Sequence, residues 1–188
     1  MNEHLEPIFN TVLVELEKTG IDYWVYAGIG IAGCVGRFIR KNKDVDIFVK
    51  EVDFDRATSV LTKLFSQLDS FMFDLNGILK RGNYERPKWE AKIVGQKGDI
   101  FSMVPTFEGK DNVIMVFDEG AKSFSKKILN KVERNISSYR FFIPPRESVK
   151  EIFLYCLSKR KDWQKRKSKR MDGEAILSPD EFKKAFPS

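Results

Sequence analysis

Residues 27–46 of the chain read AGIGIAGCVGRFIRKNKDVD, and this stretch decides the prediction of the fold. Asp44 and Asp46 lie two residues apart, at the entrance to an apolar run. In an extended strand, residues i and i+2 project from the same face, so both carboxylates are expected to point into one small volume. Two like charges held so close repel each other, and a bound Mg²⁺, which prefers oxygen ligands, relieves that repulsion. The pair therefore predicts a site for a divalent cation.

The glycines before this pair predict a turn that can bind an anion. A strand is predicted over Tyr23–Ala27, and a short buried helix follows from Ile29 to Gly36. Glycine at a helix start lets a phosphate approach the backbone, where free N–H groups and the helix dipole favour an anion. Four basic residues that could neutralise more phosphate charge follow: Arg37, Arg40, Lys41 and Lys43. A phosphate-binding turn beside a metal-binding pair is what nucleotide chemistry requires.

Structural alternatives exist for the same residues. Two aspartates in this spacing are also typical of a solvated turn. Gly28 and Gly30 are likewise typical of glycines that only allow the chain to turn. Arg40 either binds phosphate or forms a structural salt bridge with Asp44 or Asp46, which would also resolve their repulsion. The position of the glycines, eighteen and sixteen residues before Asp46, and the basic loop between favour the functional interpretation.

Composition and length favour one domain with an appended helical part. The chain has 188 residues, of which 42% are hydrophobic, and its 16 phenylalanines argue against disorder. No apolar stretch approaches the roughly 20 residues that span a bilayer, so no membrane partner is expected. The two cysteines lack paired spacing and the first residues lack an export-signal pattern, so a cytoplasmic protein is predicted. His4 is the single histidine, which excludes a His-based zinc site and a Ser-His-Asp triad.

The net charge of +6 is concentrated in residues 159–170. A basic excess favours anionic partners such as nucleotides or nucleic acids, but a run of this kind is also typical of a solvated helix face. Trp163 within the run could stack on a base or pack on the core.

Hydrophobic periodicity predicts a mixed α+β fold, in which strands dominate the middle of the chain and helices flank them. The predicted helices are Leu5–Lys18, Val52–Leu68, Arg146–Arg160, Asp162–Ile176 and a short one capped by Ser178. The further predicted strands are Val45–Val49, Phe71–Leu79, Lys88–Val94, Asp99–Val104, Asn112–Phe117 and Arg140–Ile143, whereas residues 121–138 are ambiguous. A domain of residues 1–143 with a mixed β-sheet, followed by a helical subdomain of residues 144–188, is predicted.

The stretch 27–46 resembles the nucleotidyltransferase (polymerase β-like) superfamily, in particular bacterial lincosamide and aminoglycoside adenylyltransferases. Their pattern of Gly-Gly-x-Gly, then Gly-Arg or Gly-Lys, then Arg, then Asp-Ile-Asp aligns without gaps from Ala27 to Asp46. Ala27 departs from the pattern, since it stands where these proteins have glycine. The resemblance is weaker beyond Pro144, where a strand ending in proline precedes helices with a Lys-Asp pair.

The resemblance implies roles for individual residues. It implies that the nucleotide is bound by Gly28, Ile29, Gly30, Arg37, Arg40 and Lys43. It also implies a third carboxylate on a later strand, which completes a catalytic and metal-binding set with Asp44 and Asp46. Asp99 opens a predicted strand 53 residues after Asp46 and fits this role, while Glu90 on the preceding strand is the rival.

The implied activity is the Mg²⁺-dependent transfer of a nucleoside monophosphate, AMP from ATP, to a hydroxyl group of a small molecule. One or two ions would be held by the three carboxylates, and the resemblance suggests an antibiotic as the acceptor. Two alternatives stay open: an adenylyltransferase that acts on protein or tRNA, and a non-catalytic module on the same fold that binds nucleotides or nucleic acid. The sequence does not predict the oligomeric state.

Overall fold

The structure is a computed structural model that describes residues 2–65, 72–81, 84–95, 98–117 and 120–187, with their side chains except those of 65–90 and 94–99. Its strands are β1 (Tyr23–Tyr26), β2 (Val45–Lys50), β3 (Met72–Arg81), β4 (Tyr84–Gly95), β5 (Gly98–Glu108), β6 (Asn112–Phe117), β7 (Gly120–Ser125), β8 (Val132–Ile136) and β9 (Tyr139–Ile143). Its α-helices are α1 (Val14–Lys18), α2 (Ala27–Val35), α3 (Glu51–Phe65), α4 (Arg146–Lys159), α5 (Lys167–Ile176) and α6 (Pro179–Ala185). The fold is α+β, as predicted.

One mixed sheet brings β2, which contains Asp46 and directly follows Asp44, next to a strand from the middle of the sequence. Its strand order is β1-β2-β5-β4-β3, and β6 and β7 extend it from the far end of β5. β2 runs parallel to β5 and antiparallel to β1, so it is flanked on both sides. β8 and β9 form a separate hairpin.

Helix α2 is buried on several sides, which explains its unusual composition of glycine, alanine and isoleucine. Ile29 belongs to the main core beneath the sheet, whereas Ile31 belongs to a second apolar cluster with the C-terminal helices. A Cβ atom on Gly30 would lie 2.9 Å from the carbonyl oxygen of Val25, and one on Gly33 would lie 3.1 Å from Ile143 Cγ2. Small residues thus let α2 approach both β1 and β9.

Several element boundaries differ from those predicted. The N-terminal helix forms as predicted, but residues Ile8–Leu13 adopt π-helical hydrogen bonding before α1. The ambiguous segment contains β7, a 3-10 turn over Lys126–Leu129 and β8. The end predicted for α3, at Leu68, lies outside the described residues.

The predicted helix Asp162–Ile176 is wrong as a single element. A 3-10 turn over Lys161–Lys165 precedes α5, and Arg166 between them has an extended backbone with φ −80° and ψ 122°. The final helix is correct, since the Ser178 side chain caps α6 in a reciprocal arrangement with Glu181. The predicted boundary after residue 143 falls between β9 and α4, but the division into two domains stays a prediction. None of the described helices is both long and apolar enough to cross a bilayer.

Replacing Gly30 by alanine tests the packing of α2. The added methyl group would approach the Val25 carbonyl oxygen at 2.9 Å, so α2 would have to move away from β1. The overpacking cost of about 1–3 kcal/mol is expected to exceed the gain in helix propensity of about 1 kcal/mol. Urea unfolding followed by circular dichroism should therefore show a lower free energy of unfolding. Val35→Ala, at the exposed end of the same helix, is the control and should change it by less than about 1 kcal/mol.

Candidate functional site

Asp44 and Asp46 meet at one cavity, as the i, i+2 spacing predicted. Both side chains are half-buried and line a cavity of about 280 Å³ between the sheet and the C-terminal helices. The backbone of Asp46 pairs with Tyr26 of β1 on one side and with Ser102 of β5 on the other. Asp46 therefore lies on a central strand whose neighbours fix its position, and Asp44, directly before that strand, forms an acidic dyad with it.

Helix α2 begins beside the dyad. Tyr26 and Ala27, at the junction of β1 and α2, line the same cavity as the two aspartates. Ala27 has a φ of +51°, which is the left-handed region where glycine is favoured. The residue at which this sequence departs from the glycine pattern thus keeps the backbone conformation that glycine would adopt easily.

Gly28 is required by the loop that folds back over it. A Cβ atom at Gly28 would lie 2.5 Å from both Arg40 Nη2 and Asn42 Oδ1, so no larger residue fits without displacing them. Asn42 is itself buried, and its backbone N–H donates to Asn2 Oδ1 at 2.8 Å. The loop between α2 and β2 is therefore held against the start of α2, close to the dyad.

Arg40 forms a structural ion pair, as the alternative interpretation proposed, but its partner is Asp172 of α5. Its Nε donates to Asp172 Oδ1 at 2.8 Å and its Nη2 to Asp172 Oδ2 at 2.9 Å. Their side chains are 15% and 1% exposed, respectively, so this is a buried bidentate pair between residues 132 positions apart. A nucleotide phosphate would have to compete with Asp172 for this guanidinium, and the predicted role of Arg40 in nucleotide binding stays a prediction.

Four other residues that were predicted to bind the nucleotide do not line the cavity. Ile29 and Gly30 are buried in the packing of α2. Arg37 follows Gly36 at the opposite end of α2 from Gly28, roughly 13 Å away for a nine-residue helix. Arg37 and Lys43 are exposed. None of these four is among the described residues that line the cavity, so their roles stay predictions.

The third carboxylate also stays a prediction. The backbone of Asp99 pairs with Val94 near the start of β5, but the side chains of Asp99 and Glu90 lie outside the described residues. The residue opposite Asp46 in the register is Ser102, which lines the cavity. Among the side chains that the structure describes, no group of three potential metal ligands of the His, Cys, Asp or Glu type is found.

Two lysines that the sequence analysis did not single out line the cavity with the dyad. Lys92 of β4 pairs with Ser102, which in turn pairs with Asp46, so it comes from the next strand but one. The Nζ atom of Lys169, on α5, lies 3.7 Å from Asp172 Oδ2. Burial lowers the pKa of the Lys169 ammonium, while the carboxylates of Asp172, Asp46 and Asp44 act in the opposite direction. Lys92 could not be predicted because the sequence does not reveal the strand register. Lys169 could not be distinguished from the other basic residues of its run.

The basic run divides between solvent and the cavity, so a solvated face is correct for part of it, and the binding of an anionic partner stays a prediction. Lys161, Lys165, Arg166 and Lys167 are exposed. Arg160 and Lys169 instead line the cavity with Trp163, whose ring centroid lies 4.6 Å from Arg160 Cζ and 3.9 Å from Lys169 Nζ. Trp163 also packs against the apolar cluster of the C-terminal helices, which is the packing role considered for it.

No protein-family model and no curated protein sequence matches the chain. Its structure, however, is similar to solved structures of antibiotic adenylyltransferases. The lincosamide antibiotic adenylyltransferase LnuA, solved with lincomycin bound, is 13% identical with a TM-score of 0.53, and the match covers 78% of this chain and 83% of LnuA. The enzyme ANT(2")-Ia, solved with adenylyl-2"-tobramycin, is 14% identical with a TM-score of 0.58 over 98% and 95% of the two chains. A solution structure of ANT(2")-Ia gives a TM-score of 0.60 at 13% identity, over 99% and 91%. The chain therefore has the nucleotidyltransferase fold.

Ala27→Gly is expected to stabilise the protein. A left-handed conformation costs a residue with a Cβ atom about 1–2 kcal/mol, while the greater freedom of glycine in the unfolded chain offsets about 0.4–1 kcal/mol of the gain. The free energy of unfolding should therefore rise by up to about 1.5 kcal/mol, as measured by chemical denaturation. Ser137, exposed with a φ of +55°, offers a matched control away from the cavity, and Ser137→Gly should act in the same direction. A loss of stability in both variants would contradict this account of the backbone.

Asp172→Asn tests the buried ion pair. The substitution leaves the Arg40 guanidinium without its charged partner at a largely buried site, which is expected to cost about 3 kcal/mol of the free energy of unfolding. Asp162→Asn is the matched control, because Asp162 pairs with Arg166 where both side chains are more than half exposed. That change should cost less than about 1 kcal/mol. The free energies of unfolding would be measured by urea unfolding. Similar losses in the two variants would show that the Arg40–Asp172 pair contributes no more to stability than the exposed pair.

Proposed function

We propose that this protein is a nucleotidyltransferase that transfers a nucleoside monophosphate, AMP from ATP, to a hydroxyl group of a small molecule. The observation that carries the proposal is the placement of Asp44 and Asp46 at one cavity, next to the start of α2. The similarity to LnuA and ANT(2")-Ia supports it, since LnuA is a lincosamide antibiotic adenylyltransferase and ANT(2")-Ia was solved with an adenylylated antibiotic, adenylyl-2"-tobramycin. An antibiotic is accordingly one candidate acceptor for this chain.

The residues at the cavity fit a magnesium ion. Mg²⁺ is usually held by one or two carboxylates together with substrate phosphates and water, and Asp44 and Asp46 supply hard oxygen donors on one wall. Asp99, or Glu90 in its place, is proposed as the third carboxylate. A bound ion would supply charge neutralisation for the triphosphate.

The chain's own residues have separate tasks in this proposal. The ammonium groups of Lys92 and Lys169, which line the cavity together with the dyad, attract the triphosphate and offset the charge of the leaving pyrophosphate. The start of α2 favours an anion through its N–H groups and dipole. The acceptor oxygen bonds to the α-phosphorus, the bond from that phosphorus to the bridging oxygen breaks, and pyrophosphate leaves. The hydroxyl proton passes to the third carboxylate, proposed to be Asp99.

A small acceptor fits this site better than a macromolecule. The dyad is half-buried at a cavity that α4 and α5 border, and a folded protein or tRNA would have to insert a narrow segment to reach it. Transfer to protein or tRNA is kept as an outcome of the experiment below.

The proposal predicts that the protein releases pyrophosphate from ATP in a Mg²⁺-dependent reaction and labels small molecules. The protein would be incubated with a cell extract and with ATP labelled at the α-phosphate. The products would then be separated into small-molecule and macromolecular fractions. Asp44→Asn and Asp46→Asn should each lower transfer by at least about a hundredfold, because removing one preorganised electrostatic group commonly costs that much. Chelation of Mg²⁺ should abolish the activity.

Asp53→Asn is the matched control, since Asp53 is an acidic residue on α3 that pairs with Arg56 away from the cavity. It should leave transfer unchanged, and circular dichroism would verify that all variants fold. Equal activity of the wild type and Asp46→Asn would exclude the proposed catalytic site. Label in the macromolecular fraction alone would favour a protein or tRNA acceptor, and a silent wild type would favour the non-catalytic binding module.

A further inference from the structure

Trp163 places its ring beside two cationic side chains of the cavity. The Nζ atom of Lys169 lies over the ring, 3.9 Å from its centroid, and the Cζ atom of Arg160 lies 4.6 Å from it. All three residues line the cavity that Asp44 and Asp46 also line. A cation within about 6 Å of an aromatic centroid is attracted by the ring, and tryptophan attracts it most strongly of the aromatic side chains. The ring therefore contributes to where both positive charges lie in the cavity.

The ring of Trp163 is itself held in place. Trp163 belongs to the 3-10 turn before α5, where its N–H donates to the Arg160 carbonyl oxygen at 2.9 Å and its carbonyl oxygen accepts from the Arg166 N–H at 3.0 Å. Its half-buried side chain packs against the apolar cluster of the C-terminal helices. The Lys169 ammonium, by contrast, is carried on a long flexible stem, so its position depends on the groups that it contacts.

The carboxylate of Asp172 holds Arg40 more closely than it holds Lys169. Both of its oxygens accept hydrogen bonds from Arg40, at 2.8 and 2.9 Å. The Lys169 Nζ atom lies 3.7 Å from Asp172 Oδ2, which is longer than a hydrogen bond. The Lys169 side chain is only 15% exposed, and burial lowers the pKa of its ammonium group. Because a cation–π contact is stronger where the cation is desolvated, the contact with Trp163 matters more here than it would on an exposed surface.

We propose that Trp163 is a positioning residue, which holds the Lys169 ammonium and the Arg160 guanidinium where they bind the triphosphate of the nucleotide. The ring serves the phosphates through these two cations and does not stack on the base. This inference rests on the proposed function, which assigns the cavity to the nucleotide. Binding of an inorganic polyphosphate tests it without any turnover.

Binding of magnesium tripolyphosphate to the protein would be measured by isothermal titration calorimetry. Trp163→Leu keeps an apolar side chain but removes the π face, and it should weaken binding about tenfold, because two long side chains must then be immobilised on binding. Trp163→Phe keeps an aromatic face and should stay within about threefold of the wild type. Circular dichroism and urea unfolding would verify that both variants fold. Equal losses of affinity in the two variants would assign Trp163 a merely structural role and overturn the inference.

A double-mutant cycle tests whether Trp163 acts through Lys169. In a Lys169→Gln background, Trp163→Leu should cost only about threefold in affinity, since the contact with Arg160 alone remains to be lost. An undiminished tenfold loss in that background would contradict the inference. Phe142→Leu is the matched control, because it removes a similar contact, between the Phe142 ring and Lys131 Nζ at 4.1 Å, and Phe142 of β9 is not among the described residues that line the cavity. It should change the affinity less than about twofold.

The outcomes separate this inference from the proposed function. Tripolyphosphate binding that depends on Trp163, in a protein that transfers no AMP, would refute the enzyme and retain the anion site. Weaker binding of ATP to Trp163→Leu, with unchanged binding of tripolyphosphate, would assign the ring to the base and overturn the positioning role. Absence of tripolyphosphate binding to the wild type would also overturn the inference, and continued transfer of AMP would then retain the enzyme.

Discussion

The close approach of α2 to the sheet is the constraint on which the site depends. A helix can lie this near to a strand only where side chains are missing, and Gly30 allows it by leaving room for the Val25 carbonyl oxygen. Because α2 starts directly after β1, this contact also fixes where its first residues lie. The start of α2 and Asp46 of β2 then border the same cavity. The glycines of this stretch therefore act mainly through packing, and a phosphate-binding role would be an addition to it.

Charged side chains of the C-terminal helix α5 contribute to the electrostatics of the site. Asp172 holds Arg40, and Arg40 covers Gly28 at the start of α2, so α5 is tied to the loop that leads into the dyad. Lys169 on the same helix reaches the cavity one turn earlier. Its Nζ atom lies 3.7 Å from Asp172 Oδ2, and the carboxylates of Asp172, Asp46 and Asp44 favour its charge although burial opposes it. The mutual repulsion of Asp44 and Asp46 is thus reduced by a group from the far end of the chain.

Local patterns in the sequence predicted the local parts of this arrangement. The i, i+2 spacing correctly predicted that Asp44 and Asp46 reach one cavity, although Asp44 lies directly before β2 and only Asp46 lies within it. The burial of α2 followed from a segment that is apolar all round. The partner of Arg40 could not be predicted in this way, since 132 residues separate it from Asp172 and the contact depends on how α5 packs. For the same reason Ser102 and Lys92 emerged only with the register of β2, β5 and β4.

The apolar residues that line the cavity bear on the chemistry of the proposed transfer. Transfer of a nucleotide to a hydroxyl group competes with transfer to water, which has the same nucleophilic atom and is far more abundant. Phe117, Val104 and Ile152, which line the cavity and belong to one apolar cluster, offer water no hydrogen-bond partners from their side chains. They also lower the local dielectric constant, so that in the proposed reaction the attraction between Lys169 and a phosphate would be stronger than in water. A bound acceptor would complete this exclusion of water, and the enclosed triphosphate would then meet the acceptor hydroxyl as its main nucleophile.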